Sequence, residues 1–217
     1  MPTSGFPAGT LDEEGFPVWI TDLAAPDPNH TVHVVRGLAP ADALQMLGAR
    51  PAAITPCQLP ASRPDDHLSL PQAAIGPASS GAVLLAGQIG FWTFVYDDLG
   101  LTAHGEDPGY PSRFAPPAKM LSADGREAAT STWTINADTF LAYAADGDLL
   151  LDVAENVDPA AEDIPAGLRA AIDAARTCGP GDGEDCGINM RVVCALAGLN
   201  RTLDDLRLIP LLATPFG

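Results

Sequence analysis

The segment Phe91–Tyr96 constrains the fold more than any other part of the chain. Only Thr93 within it is neither apolar nor aromatic, so the strand that it predicts is apolar on both alternating faces. A second β-rich run, Ala82–Gly87, comes shortly before it, and the brief connection around Gln88–Gly90 predicts a hairpin. The sequence therefore predicts a central strand that is covered on both sides, with Trp92 largely buried.

Other segments with β character surround this hairpin. Thr31–Arg36 is rich in β-branched residues and predicts a strand that Gly37 ends. Ala129–Ile135 predicts another strand. Asp146-Gly147-Asp148 lies between two apolar runs and predicts a hairpin turn. Between the first two strands, a segment that begins at Pro40 and stops at Gly48 predicts a short helix.

The hydrophobic period changes in the last third of the chain. Apolar residues from Ile164 to Ala175 share one helical face, and we expect Asp163 to cap that helix. A second helix is predicted over Ile188–Leu199, and Thr202–Asp205 resembles a capping box for a third. Strands that come first and helices that come last predict an α+β fold, a mostly antiparallel sheet covered by helices, with C-terminal helices.

We expect two segments. Residues 1–30 form an N-terminal arm, whose apolar patch Phe16–Ile20 docks on the core, and residues 31–217 form a single α+β domain. Within that domain, residues 49–81 are rich in proline and show little periodicity, which predicts a long irregular loop.

The middle of this loop is polar, and loops of such length persist in compact domains mainly when they bind something. The hypothesis that follows is a recognition surface bordered by the loop and by the turn after Tyr96. Its candidate binding residues are Arg63, Asp65, Asp66, His67, Trp92, Asp97 and Asp98.

Charge limits the classes of partner. The chain has 28 acidic and 11 basic residues, which gives a net charge of −17. A field of this sign repels nucleic acid, whose binding depends on Lys and Arg, and it repels anionic bilayers. The favoured partner is a basic protein, although a small molecule stays open and the charge could serve solubility alone.

The segment Met1–Phe6 has no basic region and starts no apolar run of signal-peptide length. No apolar run in the chain approaches the roughly 20 residues that a membrane helix needs. These features predict a cytoplasmic protein. Its four cysteines are then expected to be thiols, with a Cys178–Cys186 bridge as the first alternative.

Several short motifs follow one another in a characteristic order between residues 30 and 212. They are Val34–Leu38 with Pro40 and Leu47-Gly48, then Trp92 with Asp97 and Gly100, Leu121-Ser122, the hairpin at Asp146–Asp148, and Leu203 with Leu206. This order resembles the actinobacterial family called domain of unknown function 6461. The chain departs from that family in the Pro-rich insert and at Leu99, where the family often carries Asn. The resemblance implies an intracellular, mixed α/β domain and implies no activity.

Motifs of known chemistry are missing from the sequence. No Gly-rich phosphate loop follows a strand, and neither a Gly-x-Ser-x-Gly elbow nor a His-Glu-x-x-His helix occurs. His67 and His104 each lie beside carboxylates, and Asp182, Glu184 and Asp185 could bind a hard cation loosely. We expect solvated loops at these places, no catalytic residue, no metal and no cofactor.

Three functions remain open. The first is a non-catalytic binding or regulatory protein that engages a basic protein partner, as an immunity or antitoxin-like protein does. The second is an enzyme of specialised metabolism, which would use Asp97, Asp98 or His67 for acid–base chemistry in a pocket between sheet and helices. The third is a domain whose charge provides solubility and nothing else.

Overall fold

The computed structural model describes residues 5–24, 29–62, 67–76, 81–103, 115–136, 139–154, 164–178 and 185–216. These residues form one antiparallel sheet of eight strands in the order β2-β8-β3-β4-β1-β5-β6-β7. The strands are β1 His30–Arg36, β2 Thr55–Cys57, β3 Ala82–Ile89, β4 Trp92–Asp97, β5 Glu127–Trp133, β6 Thr139–Ala145, β7 Asp148–Val153 and β8 Leu211–Phe216.

Seven described helices cover the sheet. They are α1 Val18–Leu23, α2 Pro40–Met46, α3 Leu70–Ile75, α4 Ala115–Ser122, α5 Ala166–Arg176, α6 Ile188–Ala197 and α7 Leu203–Arg207. Face A of the sheet, which carries Val32 and Phe94, packs against α1, α3, α5, α6 and α7. Face B, which carries Val35 and Val95, packs against α2 and α4. The predicted α+β fold with an antiparallel sheet and C-terminal helices is confirmed.

The central strand is confirmed as well. β4 lies between β3 and β1 in the middle of the sheet, and its residues alternate between the two apolar layers. Phe94 and Tyr96 are buried on face A, and Val95 is buried on face B. Its apolar character on both faces follows from this double burial.

Both predicted hairpins are present. Ile89 pairs with Trp92, so Gly90 and Phe91 alone form the first turn, and Gly90 takes the positive φ of 58° that the turn requires. In the second hairpin Asp146 and Gly147 both have positive φ, as the type I′ turn demands. β4 begins one residue later than the predicted segment Phe91–Tyr96, and Phe91 is 77% exposed because it occupies the turn.

The C-terminal helices follow the prediction except at one cap. Thr202 and Asp205 form the predicted capping box at the start of α7. The N-cap of α5 is Pro165, without a side-chain cap, so the expectation of a cap at Asp163 is wrong. Asp163 itself lies outside the described residues. After α7 the chain forms β8, an unpredicted strand between β2 and β3.

Residues 49–81 are less irregular than expected. Within the described part, Pro56 lies in β2, an edge strand of three residues, where the missing N–H of proline is tolerated. Pro71 lies in the first turn of α3, where a backbone N–H would have no partner within the helix, so the N–H that proline lacks is not missed. Leu70 of the same helix is buried in the face A core. Part of the predicted loop is therefore packed structure.

The N-terminal segment contributes to the same core. Trp19, Ile20 and Leu23 of α1 are fully buried on face A, and the Trp19 ring meets Phe94 and Tyr96 edge-on. The apolar patch seen in the sequence thus forms a short helix on the sheet.

Trp92 packs against the face A core but is partly exposed, because it lies at the start of β4 beside the exposed turn. We expect Trp92→Ala to lower the free energy of unfolding by about 1–2 kcal/mol, since part of the side chain is already in water. Phe94→Ala, on the same strand and face but 1% exposed, is the control, with an expected loss of about 3–5 kcal/mol. Urea unfolding measures both. Equal losses would contradict the burial difference.

Candidate functional site

Two adjacent carboxyl groups are buried where β4 ends. Asp97 is the last residue of the strand and Asp98 is the first residue of the turn that follows, and both are almost fully shielded from solvent. Their side chains have different hydrogen-bond partners, so they form two separate sites.

Asp98 joins α3 to β3. Its Oδ2 accepts a hydrogen bond of 2.5 Å from the Ser69 hydroxyl, and its Oδ1 accepts one of 2.7 Å from the Val83 amide. Burial raises the pKa of Asp98 to about 6; the bonds from Ser69 and Val83 oppose that rise, and the neighbouring Asp97 adds to it. Ser69 also caps α3 by accepting from the amide of Gln72. Through Ser69, the end of the predicted loop reaches the turn after β4.

Asp97 holds the turn after β4 in place. Its Oδ2 accepts bonds of 2.6 Å from both the amide and the hydroxyl of Thr102, and its Oδ1 accepts one of 3.2 Å from the Leu99 amide. Burial raises the pKa of this carboxyl, and the hydrogen bonds from Thr102 and Leu99 work against the rise.

The Thr102 hydroxyl connects Asp97 to a buried histidine on β1. His33 Nε2 lies 2.8 Å from Thr102 Oγ1, and His33 Nδ1 lies 2.8 Å from Thr130 Oγ1 on β5. Because the Thr102 proton goes to Asp97, Nε2 must donate to Thr102, and Nδ1 then accepts from Thr130. Burial lowers the pKa of His33 to about 3, so the ring is neutral at ordinary pH.

The result is one continuous chain of hydrogen bonds, Thr130–His33–Thr102–Asp97, on face B. It joins β1, β4 and β5 to the turn at 101–103, and only Thr102 among its members is partly exposed. Both ring nitrogens of His33 are occupied within the protein. A group satisfied in this way stabilises one arrangement of the strands and offers no free base to a substrate.

His30 lies on the opposite face, as the spacing of three predicts. Its ring stacks on Trp133 with centroids 6.2 Å apart, and its Nδ1 lies 3.1 Å from the Tyr96 hydroxyl. His30 therefore belongs to an aromatic cluster on face A, apart from the His33 chain.

A pocket of about 260 Å³ opens on the α1 and α7 side of the molecule. Its lining residues are Asp22, Ala61, Ser62, Leu70, Leu203 and Arg207. Arg207 is engaged by protein groups: it bonds Asp204 at 2.7 Å and the carbonyl of Pro60 at 2.9 Å. None of Asp97, Asp98 and His33 lines this pocket, so the buried titratable groups and the cavity are separate features.

Among the predicted binding residues that the structure describes, Trp92 lies apart from the two aspartates. Trp92 and Asp97 lie at opposite ends of β4, about 17 Å apart at 3.3 Å per residue, and they point to opposite faces. Asp98 lies beside Asp97, and His67 is exposed in the turn before α3. Arg63, Asp65 and Asp66 lie outside the described residues, as does His104. The structure thus separates Trp92 from the two aspartates, and a binding role for any of these residues stays a prediction.

The acidic segment near Cys186 is used differently from the loose cation site considered above. Asp185 pairs with the buried Arg191 of α6, while Asp182 and Glu184 lie outside the described residues. Cys178 and Cys186 are free thiols, as are Cys57 and Cys194. Across the described ranges no three His, Cys, Asp or Glu side chains gather in a way that could hold a metal ion.

Comparisons with known proteins add no relative. The chain matches no protein-family model, no curated protein and no solved structure. Among the helices that the structure describes, none is long and apolar enough to cross a membrane.

Proposed function

We propose that the chain is a non-catalytic binding or regulatory protein that engages a basic protein partner, as an immunity or antitoxin-like protein does. One observation carries the proposal: the excess negative charge lies on the surface. Nine acidic side chains are exposed within the described ranges, against four exposed arginines. The exposed acids are Glu13, Glu14, Asp22, Asp42, Asp124, Asp146, Asp148, Asp173 and Asp204.

The buried titratable groups support the same proposal. Asp97, Asp98 and His33 accept or donate hydrogen bonds within the protein, and none of the three lines the pocket at Arg207. An enzyme with acid–base chemistry between sheet and helices, the alternative function, would need such a group to face a cavity. The alternative has less support for this reason.

A cytoplasmic location and membership of the actinobacterial family stay proposals. Four free thiols favour a reducing compartment. The antiparallel sheet with C-terminal helices is compatible with the mixed α/β domain that the resemblance implies.

Co-purification at low ionic strength tests the proposed function. We expect a basic protein to elute with the chain in a fixed stoichiometry at about 50 mM NaCl and to be released at about 500 mM, because salt screens an interaction between exposed charges. Mass spectrometry identifies the partner, and analytical ultracentrifugation of the purified pair gives the stoichiometry. A chain that elutes alone at low salt, or a partner that high salt does not release, would contradict the proposal.

A further inference from the structure

The two edges of the sheet differ in a way that bears on where a partner binds. The β2 edge has three residues, and Pro56 at its centre lacks an N–H, so it is poorly suited to accept another strand. The β7 edge has six residues and no proline. No described strand pairs with the outer side of β7. Within the described part of the chain, this edge therefore leaves backbone donors and acceptors open to a partner.

The side chains of β7 give this edge its chemistry. Leu149 packs on face B against Ala118, Ala142 and Ala144, and Leu151 packs against the face A core. Leu150 is 47% exposed at an irregularity in the pairing with β6. Asp148 and Asp152 lie near the two ends of the strand, exposed and half-buried respectively. Apolar contact is thus available in the middle, with a carboxylate on either side.

Neighbouring residues add to the negative charge. Asp146 lies in the turn before β7 and accepts a bond of 2.7 Å from the Gly125 amide, which brings the exposed Asp124 to the same end of the sheet. Arg126, the basic residue of this turn, is occupied by the Leu121 carbonyl and by Asp124. An approaching cation therefore meets an excess of carboxylates.

Charge also argues against a second copy of the chain as the partner that pairs with the outer side of β7. Asp148 pairs with Ala145 and Asp152 with Ala142, and the extra residue Leu150 between them places the two carboxylates on opposite faces of the sheet. A second β7 strand would add more carboxylates to this acidic edge, and like charges near one another destabilise a strand pair. A basic strand in the same position would bring a cation to each carboxylate instead.

We propose that Asp148–Val153, the acidic edge, binds an extended basic segment of the partner by strand addition. Main-chain hydrogen bonds to β7 supply affinity, and Lys or Arg side chains opposite Asp148 and Asp152 supply specificity. The proposal rests on the proposed function and names the surface that performs it.

A peptide pair tests strand addition separately from charge. The probe is an acetylated and amidated peptide that repeats Lys-Lys-Val-Val, which places lysines on both faces of an added strand. Its control carries the same residues with alternate backbone amides N-methylated. Both peptides have the same charge, but the control cannot donate the strand hydrogen bonds. We expect calorimetry to show binding of the probe at least tenfold tighter than binding of the control, since several main-chain bonds are lost.

Paired variants of the protein test the location. Asp148→Asn with Asp152→Asn should weaken the probe at least fivefold, because two ion pairs are removed. The control, Asp42→Asn with Asp173→Asn, removes the same charge from exposed positions on α2 and α5 and should change the affinity by less than about twofold. Thermal melting of both variants confirms that each is folded.

The outcomes separate this proposal from the proposed function. Equal binding of both peptides, equal weakening by both variant pairs, self-association through β7, or no binding of the probe overturns strand addition at the acidic edge. A salt-sensitive basic partner found by co-purification would leave the proposed function standing in each of these cases. The absence of any basic partner overturns the proposed function itself.

Discussion

The free energy of unfolding of the Asp98→Asn variant should drop by about 3 kcal/mol relative to that of the wild-type protein as the pH falls from about 8 to below about 4. The folded state binds the Asp98 proton more tightly than the unfolded chain, because the folded pKa is about 6 against an ordinary 3.8. The contribution of this group to stability is therefore largest below pH 3.8 and is lost as the pH rises through 6. Asparagine does not titrate, so the variant gains nothing on acidification.

His33 has the opposite effect. Its folded pKa is about 3 against an ordinary 6.5, so its contribution is complete above pH 6.5 and is lost as the pH falls towards 3. Between about pH 6 and pH 4 the loss from His33 and the gain from Asp98 are each about 2 kcal/mol and nearly cancel. His33→Gln should therefore become relatively more stable than wild type in acid, while Asp98→Asn becomes relatively less stable.

Urea unfolding of the three proteins across this pH range measures both effects. The surface carboxyls are present in all three proteins and lie apart from the replaced groups, so their titration cancels in the differences from wild type. If the stability of wild type and of both variants changed with pH in parallel, neither Asp98 nor His33 would have the buried environment that shifts its pKa in the structure.

The second large effect concerns Arg191. Its guanidinium group is fully buried and donates to the Asp185 carboxylate, to the Ala175 carbonyl at 2.9 Å and to the Gly15 carbonyl at 2.6 Å. It thus ties α6 to the last turn of α5 and to the N-terminal segment. Arg191→Met should cost about 3–5 kcal/mol, because the shape is nearly kept while buried acceptors lose their donor.

Arg176→Met is the matched control. Arg176 is exposed near the end of α5, so its replacement should change the unfolding free energy by less than about 0.5 kcal/mol. Chemical denaturation gives both values, and limited proteolysis after residue 15 reports whether the N-terminal segment is released. A loss below about 1 kcal/mol for Arg191→Met would mean that these bonds contribute little to stability.

Local signals in the sequence predicted local structure well. Asp146-Gly147 encodes a turn with two positive φ values, and Thr202 with Asp205 encodes a helix start, because each depends on residues that are neighbours in the chain. The central position of β4 could be predicted for a related reason, since burial on both faces leaves an unbroken apolar run.

Features that depend on distant residues could not be predicted. The hydrogen bonds of His33 join it to Thr130, which is 97 positions away, and to Thr102, which is 69 positions away. No local pattern marks such a pair. Pro56 and Pro71 were misleading for the same reason: proline excludes the interior of a sheet or helix, but only the tertiary fold shows that these two lie at an edge and in a first turn.

Hydrogen exchange on the complex of the chain with its co-purified basic partner tests the central claim most directly. The account predicts that partner binding slows exchange in the acidic edge, Asp148–Val153, and leaves the turn after β4 and the pocket at Arg207 unchanged. Protection confined to residues 97–102 or to that pocket, with the acidic edge unaffected, would contradict it.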